Sequence, residues 1–155
     1  MSDTRATIRE AVIDDLPACA AIINDYIDDT EWLPRVISRE EIENLFTEKL
    51  LEMRVLLIAD VDGEVGGYLS MDKDNGKVSA IYLAPGFRCN GTGKFLIDAA
   101  KKRKPDGLNL TVFEPNVHAK RFYEREGFAE APEERDENTE EGVPTLMMRW
   151  EGAAA

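Results

Sequence analysis

The stretch Arg88-Cys89-Asn90-Gly91-Thr92-Gly93-Lys94 is where residue types and spacing first point to chemistry. It falls between a strand-like run and a helix-like one. Glycines let the backbone approach a ligand closely, and the N–H groups that open a helix favour an anion. Arg88 and Lys94 can add positive charge. A phosphate or pyrophosphate is the natural guest, although Gly-x-Gly alone is a weak signal. Two rival phosphate loops fail on residue identity. A dinucleotide fingerprint wants a third glycine where Leu96 stands, and its helix should follow the first strand of a βαβ unit. A Walker loop wants glycine in place of Arg88 and Ser or Thr in place of Phe95. A glycine-softened turn with no ligand is the plain alternative.

The pattern that does fit is Arg-x-x-Gly-x-Gly after a strand ending Ile81-Tyr82-Leu83-Ala84-Pro85. It resembles motif A of the GNAT acetyltransferase superfamily. Downstream, Asn116-Val117-His118-Ala119-Lys120-Arg121-Phe122-Tyr123-Glu124-Arg125-Glu126-Gly127-Phe128 is similar to that family's Asn-x-x-Ala-x-x-Phe-Tyr-x-x-x-Gly-Phe segment. Two motifs in this order, about the right distance apart, are far more specific than either alone. The resemblance implies an N-acetyltransferase with acetyl-CoA as co-substrate and no metal, passing the acetyl group directly to an amine. It implies that Arg88 and the amides of Cys89, Asn90, Gly91, Thr92, Gly93 and Lys94 cradle the pyrophosphate. Ile81 and Leu83 would offer backbone groups to the pantetheine arm, with Asn116 beside it. Gly86 stands where the family often has an acidic residue, and Asn90 where it often has Arg, Lys or Gly; neither change removes a backbone donor. A non-catalytic acyl-CoA-binding or regulatory module of the same fold is the rival reading.

Acetyl transfer to an amine requires that the amine lose a proton, that the carbonyl oxygen be stabilised, and that the departing thiolate gain a proton. Tyr123, matching the family's tyrosine, suits the last role, since a phenol with a pKa near 10 keeps its proton at neutral pH. A helical aromatic after Phe122 is also what a core position looks like. A backbone N–H near Leu83 would serve the oxyanion. For the base the sequence leaves several options: Glu114 at a strand end, Glu31 in the loop that lines the acceptor site in this family, or a water relay. Thr111 stands where some relatives carry a basic glutamate. Glu31 and Trp32 are the candidates for acceptor binding, with Trp32 equally readable as a packing anchor. Arg35 could meet a substrate carboxylate but reads better as a surface charge. Cys19 and Cys89 have no base nearby in sequence, which argues against a thiol nucleophile. His118 is the only histidine, so a metal site built on several histidines is nearly excluded.

These residues need elements to position them. Alternation from Arg5 to Ala11 reads as a first strand. Asp14-Asp15 and Pro17 open a helix with Leu16, Ala20, Ile23 and Ile27 on one side. After a break at 28–36, the capping box Ser38-Arg39-Glu40-Glu41 opens a second helix carrying Ile42, Leu45, Phe46 and Met53. Three strands follow, Val55–Val61, Val65–Met71 and Val78–Leu83, joined by turns at Asp62-Gly63 and Asp74-Asn75-Gly76. Then come a helix from about Gly91 to Lys104, a strand Leu108–Phe113, a helix from Pro115-Asn116 to a C′ glycine at Gly127, and a last strand Val143–Trp150. The acidic stretch around Glu133, Glu134, Asp136, Glu137, Glu140 and Glu141 reads as a solvated loop that could also draw in cationic amines. The order β-α-α-β-β-β-α-β-α-β-β predicts a GNAT-like α/β (α+β) single domain over 1–155, a mixed, mostly antiparallel sheet with helices on both faces.

Composition sets the outer limits. The 155 residues carry 19 Lys and Arg against 31 Asp and Glu, a formal net charge of −12. That surface repels nucleic acid and attracts cations. No apolar run reaches membrane-spanning length and the N-terminus lacks an apolar leader core, so a cytoplasmic protein is expected. The amine acceptor, a small molecule or a peptide, stays unnamed, and a homodimer stays open. A calcium-binding reading of Asp72–Gly76 fails because its glycine comes one residue early and the final glutamate is missing.

Overall fold

The computed structural model describes residues 6–87 and 91–152. The elements are β1 (Ala6–Glu10), α1 (Leu16–Asp29), α2 (Arg39–Leu45), α3 (Glu48–Met53), β2 (Arg54–Val61), β3 (Glu64–Asp72), β4 (Lys77–Leu83), α4 (Thr92–Arg103), β5 (Leu108–Phe113), α5 (Val117–Arg125), β6 (Ala129–Asp136) and β7 (Thr145–Trp150). The strands form one seven-stranded sheet in the order β1-β2-β3-β4-β5-β7-β6. All neighbours are antiparallel except β4 and β5. This is the mixed, mostly antiparallel sheet the sequence predicts. Among the described residues no helix is long and apolar enough to cross a membrane.

Each face of the sheet buries its own apolar set. On one, Leu57, Leu69 and Met71 pack with Leu96, Ile97 and Ala100 of α4 and Tyr123 of α5. On the other, Leu56, Ile58 and Tyr68 pack with Leu16, Cys19 and Ile22 of α1. Consecutive residues of β2 thus go to opposite cores, as period-2 geometry requires. Each fully buried Leu or Ile contributes about 1.5–3 kcal/mol.

Three local differences from the sequence reading have physical causes. The helix expected from Ser38 to Met53 is two helices. The capping box forms as expected, with the Ser38 side chain accepting from the Glu41 N–H. Phe46 then leaves helical geometry (φ −91°, ψ 75°). Its ring meets Tyr68 edge-on at 5.9 Å, so burial of that aromatic competes with helix continuity and wins. At the start of α1, Asp15 does not cap with its side chain. Its buried carboxylate accepts instead from the Val12 N–H (2.8 Å) and from Arg9 (2.7 and 2.9 Å), pinning the end of β1 to the helix start.

The third difference is β6. Glu133, Glu134 and Asp136 lie on an edge strand rather than in a loop. Its charges are matched by neighbours: Glu130 by Lys120, Glu133 and Glu134 by Arg149, and Arg135 by Glu114. A charged, irregular edge is a common way for a sheet to end without recruiting another strand. Composition hid the strand because its side chains are neutralised in three dimensions, not along the chain.

β4 carries a bulge. Met71 pairs with Val78 and Ser70 with Ala80, leaving Ser79 as an extra residue. The insertion flips the side-chain alternation. Val78 lies in the core with α4 and α5, while Ala80 and Tyr82 pack toward α1 and Ile81 and Leu83 toward α4.

Candidate active site

The site is built around a gap between two parallel strands. β4 and β5 pair only at Lys77–Asn109 and Val78–Leu110. Beyond the bulge, β4 stays on β3 and β5 stays on β7, and the two strands part. The Ala84 N–H donates to the Gly66 carbonyl (2.9 Å), so the backbone groups of Ala84, and of Tyr82 by alternation, face β3. Those of Ile81 and Leu83 therefore face the gap, on the side where the sequence reading wanted them.

α4 opens at the same end. Gly91 is its N-cap with φ +85°, and a Cβ there would meet nothing within 4 Å. Backbone conformation, not crowding, therefore favours glycine at this position. The first helical bond runs from the Phe95 N–H to the Gly91 carbonyl (3.2 Å), so the N–H groups of Gly93 and Lys94 precede the ladder and point out of the helix start. The Lys94 side chain goes elsewhere. Its Nζ lies 3.0 Å from Glu126 and 3.5 Å from Asp98, and Glu126 above all raises its pKa. The cation is thus held at the far end of α5, and only the backbone of Lys94 serves the helix start. Arg88, Cys89 and Asn90 lie outside the described residues.

α5 supplies the other wall. Asn116 is its N-cap, its Oδ1 accepting from the Ala119 N–H (3.2 Å). Its Nδ2 donates to the Tyr26 hydroxyl (3.0 Å), which belongs to α1 on the opposite face of the sheet. Both polar ends of Asn116 therefore have protein partners, and the residue acts as a tie across the open end of the gap. At the other end of α5, Gly127 (φ +94°) lets the chain reverse, and the Phe128 N–H returns to the Tyr123 carbonyl (2.9 Å).

Tyr123 is packed as a core residue. Its ring sits between Phe122 and Phe128 (centroids at 5.3 and 5.7 Å) and is core. The residue is only 7% exposed, and among the described residues no buried polar side-chain atom is left without a hydrogen-bond partner. Burial, with smaller contributions from Tyr82 and Tyr26, raises its pKa far above the usual phenol value. Burial likewise pushes Tyr82 up to about 12, with Tyr26 and Glu141 adding to the effect. Tyr26 and Tyr82 pack ring to ring at 5.1 Å. Three phenols from α1, β4 and α5 thus share one neighbourhood, reached from both faces of the sheet through the gap.

The remaining candidates divide clearly. Trp32 is half-buried with its ring 5.6 Å from that of Phe113 at the end of β5, so it packs and still borders solvent; Glu31 beside it is exposed. Arg35 is no surface charge. It bonds the Asn24 side chain (2.9 Å) and carbonyl (3.0 Å), Asp28 (2.8 Å) and the Ile37 carbonyl (3.2 Å), bracing the chain that leaves α1. Glu114 is held by Arg135, which depresses its pKa and makes it an anchor for β6 rather than a ready base. Thr111 and His118 are exposed. Cys19 is fully buried and burial pushes its thiol up to about 12, so it is inert as a nucleophile. Glu141, which the sequence reading grouped with a solvated run, is half-buried and influences Tyr82. Nothing in its local sequence distinguishes it from Glu140. Only the fold of the β6–β7 connection does.

Comparison with known proteins follows this geometry. A family model described as acetyltransferase (GNAT) domain matches residues 16–152. An uncharacterized N-acetyltransferase from Lactobacillus delbrueckii subsp. lactis is 36% identical over 81 residues, 43% of this chain and 47% of that protein, so the match spans about half of the relative. The solution structure of apo YjaB from Escherichia coli superposes with a TM-score of 0.76 at 25% identity, covering 96% of this chain and 99% of that one. YncA from Salmonella typhimurium, solved with acetyl-CoA, shares the fold with a TM-score of 0.67 at 20% identity, covering 98% of each chain.

Proposed function

The chain belongs to the GNAT acetyltransferase family, and on that premise we propose that it transfers the acetyl group of acetyl-CoA directly to an amine. The observation that carries this reading is the gap itself: β4 leaves β5 after Val78, and Tyr123 packs in the same core cluster as Ile81 and Leu83 of β4. An acyl chain running along Ile81 and Leu83 would meet the edge of β4 strand-fashion. The diphosphate would meet the start of α4 at Gly91, Thr92, Gly93 and Lys94, with Arg88, Cys89 and Asn90 completing the loop. The residues described fit that group: a glycine in left-handed geometry with open space beside it, and amides ahead of the helical ladder.

Each chemical requirement then falls to a group of the chain. The backbone N–H at Leu83 is the donor assigned to the developing oxyanion. Tyr123 gives its proton to the departing sulfur. Burial keeps that proton in place at neutral pH and also makes it harder to release, so transfer becomes favourable only as negative charge grows on sulfur in the same dry site. Asn116 and Tyr26 hold the end of α5 against α1 and set the width of the opening. Trp32, Phe113 and Glu31 border the side from which the amine enters. YncA, which shares this fold, was solved with acetyl-CoA, and this supports the choice of donor. A binding module without turnover is the alternative, and the presence of Tyr123 at the position of the family's tyrosine argues against it.

Thermal unfolding with and without acetyl-CoA tests the reading. A ligand at about a hundred times its Kd stabilises by about 2.7 kcal/mol, which for a chain of this size raises Tm by roughly 5–10 °C. Thiol release with a panel of amines then separates an enzyme from a binding module. No shift at saturating acetyl-CoA would remove the basis of the proposal.

A further inference from the structure

β3 carries two successive buried glycines, Gly66 and Gly67, and neither has the positive φ that would demand one. What lies next to them demands it instead. Against β2, Gly67 pairs with Ala59 and Val65 with Asp60, which leaves Gly66 as the extra residue of a bulge. A Cβ on Gly66 would lie 3.0 Å from the Phe87 ring and 2.9 Å from the Val61 side chain. A Cβ on Gly67 would lie 2.6 Å from the Leu83 side chain and 2.8 Å from the Tyr82 carbonyl oxygen. Carbon atoms in contact settle about 3.5–4.0 Å apart, so neither position has room for a side chain.

The two empty positions do different things. Gly67 lets the end of β4 lie close on β3 at Leu83, where β4 has already parted from β5. Gly66 receives the turn that follows. Its carbonyl accepts from the Ala84 N–H (2.9 Å), and the Phe87 N–H returns to the Ala84 carbonyl (2.9 Å). The Phe87 ring then takes the space that a side chain at position 66 would fill. Both ends of the turn from Ala84 to Phe87 are thus fastened to one residue of β3, the first by a hydrogen bond and the second by packing. Only positions 88–90 separate Phe87 from Gly91, the N-cap of α4. A connection that short is constrained by where its two ends are fixed.

We propose that Phe87, seated on Gly66, is a positioning residue for the nucleotide end of acetyl-CoA, holding the chain that enters α4 ready for the diphosphate. This rests on the acetyl-transfer reading above. Phe87 meets no reacting atom. It lowers the ordering cost of binding, because a cradle of backbone amides works best when the chain that carries them is fixed before the ligand arrives. The pantetheine arm depends on a different support: the β4 edge at Ile81 and Leu83, which β3 holds through the ladder. Loosening the Phe87 seat therefore weakens one half of the donor site and spares the other.

Phe87→Ala is the test, read as the Kd for two donors by titration: acetyl-CoA, and S-acetylpantetheine, which has the arm but no diphosphate. The variant should bind acetyl-CoA about 10-fold more weakly and S-acetylpantetheine within about twofold of the wild type, since only the first uses the preorganised helix start. Gly66→Ala, which pushes the ring off its seat, should weaken acetyl-CoA to a similar extent, and adding it to Phe87→Ala should cost no further affinity. Phe87→Leu keeps an apolar side chain on Gly66 and should recover most of the binding. Should Gly66→Ala fail to fold, the two Phe87 variants decide the matter alone. Equal weakening of both donors would reduce Phe87 to a part of the general fold and overturn the proposal, as would unchanged acetyl-CoA affinity in Phe87→Ala. A wild type that leaves either donor unbound would instead overturn the donor assignment in the acetyl-transfer reading, and with it this proposal.

Discussion

The donor side and the acceptor side of the gap are made of different material. On the side proposed for the donor, from β4 to the start of α4, the groups assigned are backbone: the strand edge at Ile81 and Leu83 and the amides that follow Gly91. On the side proposed for the acceptor they are side chains from scattered elements: Tyr26 on α1, Trp32 in the connection after it, and Tyr82 on β4. A backbone cradle tolerates almost any side chain except where glycine is required, so its signature is a short, fixed spacing. A side-chain pocket can be rebuilt by single substitutions while the frame stays in place. A fold of this kind can therefore keep one donor while changing acceptors.

The comparison can be broken most sharply at Gly93. A Cβ there would meet only Phe122 at 3.4 Å and Leu83 at 3.6 Å, ordinary contact distances. Gly93→Ala should therefore fold and retain most of the acetyl-CoA-induced rise in Tm. Gly93→Asp places a negative charge where the diphosphate is expected and should abolish the rise. If the aspartate variant kept it, the donor would not bind at the start of α4.

A second measurement sharpens the line between the two sides. Tyr123→Phe keeps the ring between Phe122 and Phe128 and removes only the hydroxyl oxygen. Stability and acetyl-CoA binding should change little, while kcat falls by roughly 10²–10⁴, the range for a positioned acid. The loss should shrink with a thioester whose thiol is more acidic. Full activity would reduce Tyr123 to packing.

Trp32→Ala gives the smallest effect and the most direct comparison of the two sides. Losing the contact with Phe113 should raise the acceptor KM several-fold while leaving the acetyl-CoA-induced shift in Tm unchanged. Because the side chain is only half-buried, the stability loss should fall below the roughly 3–5 kcal/mol of a fully buried aromatic. A large drop in Tm with unaltered kinetics would assign the residue to the fold.

How much was legible in the sequence follows the same division. The order of elements along the chain, the glycine turn at Gly127, the capping box at Ser38 and the helix start at Gly91 are local signals, readable because turn and cap geometry depend on neighbours in the chain. The break at Phe46 was not, since it depends on Tyr68 lying opposite. The element order has a strand between the last helix and Val143–Trp150, but that the acidic run belongs to it was not legible, since that run is neutralised by Lys120 and Arg149 from other elements. Arg35 read as a surface charge because nothing local reveals that Asn24 and Asp28 reach it across a helix turn. Glu141 was indistinguishable from its neighbours until the turn at Thr139 set it apart.

The bulge at Ser79 has a mechanical consequence. It makes the sheet two panels sharing a short seam at Lys77–Val78 and Asn109–Leu110, reinforced by the Asn109 N–H on the Gly76 carbonyl. A continuous ladder is stiff because every strand is bonded along its length. Here the ladder ends early, and the free ends of the panels are tied from outside by Asn116 on Tyr26, a bond whose net worth is on the order of 1 kcal/mol. What holds the panels together is packing: Leu69 and Val78 of one share a single core cluster with Leu110, Val112 and Leu146 of the other, bridged by Leu96, Ile97 and Tyr123. The sheet is thus joined across its slot by side chains where backbone bonds have stopped.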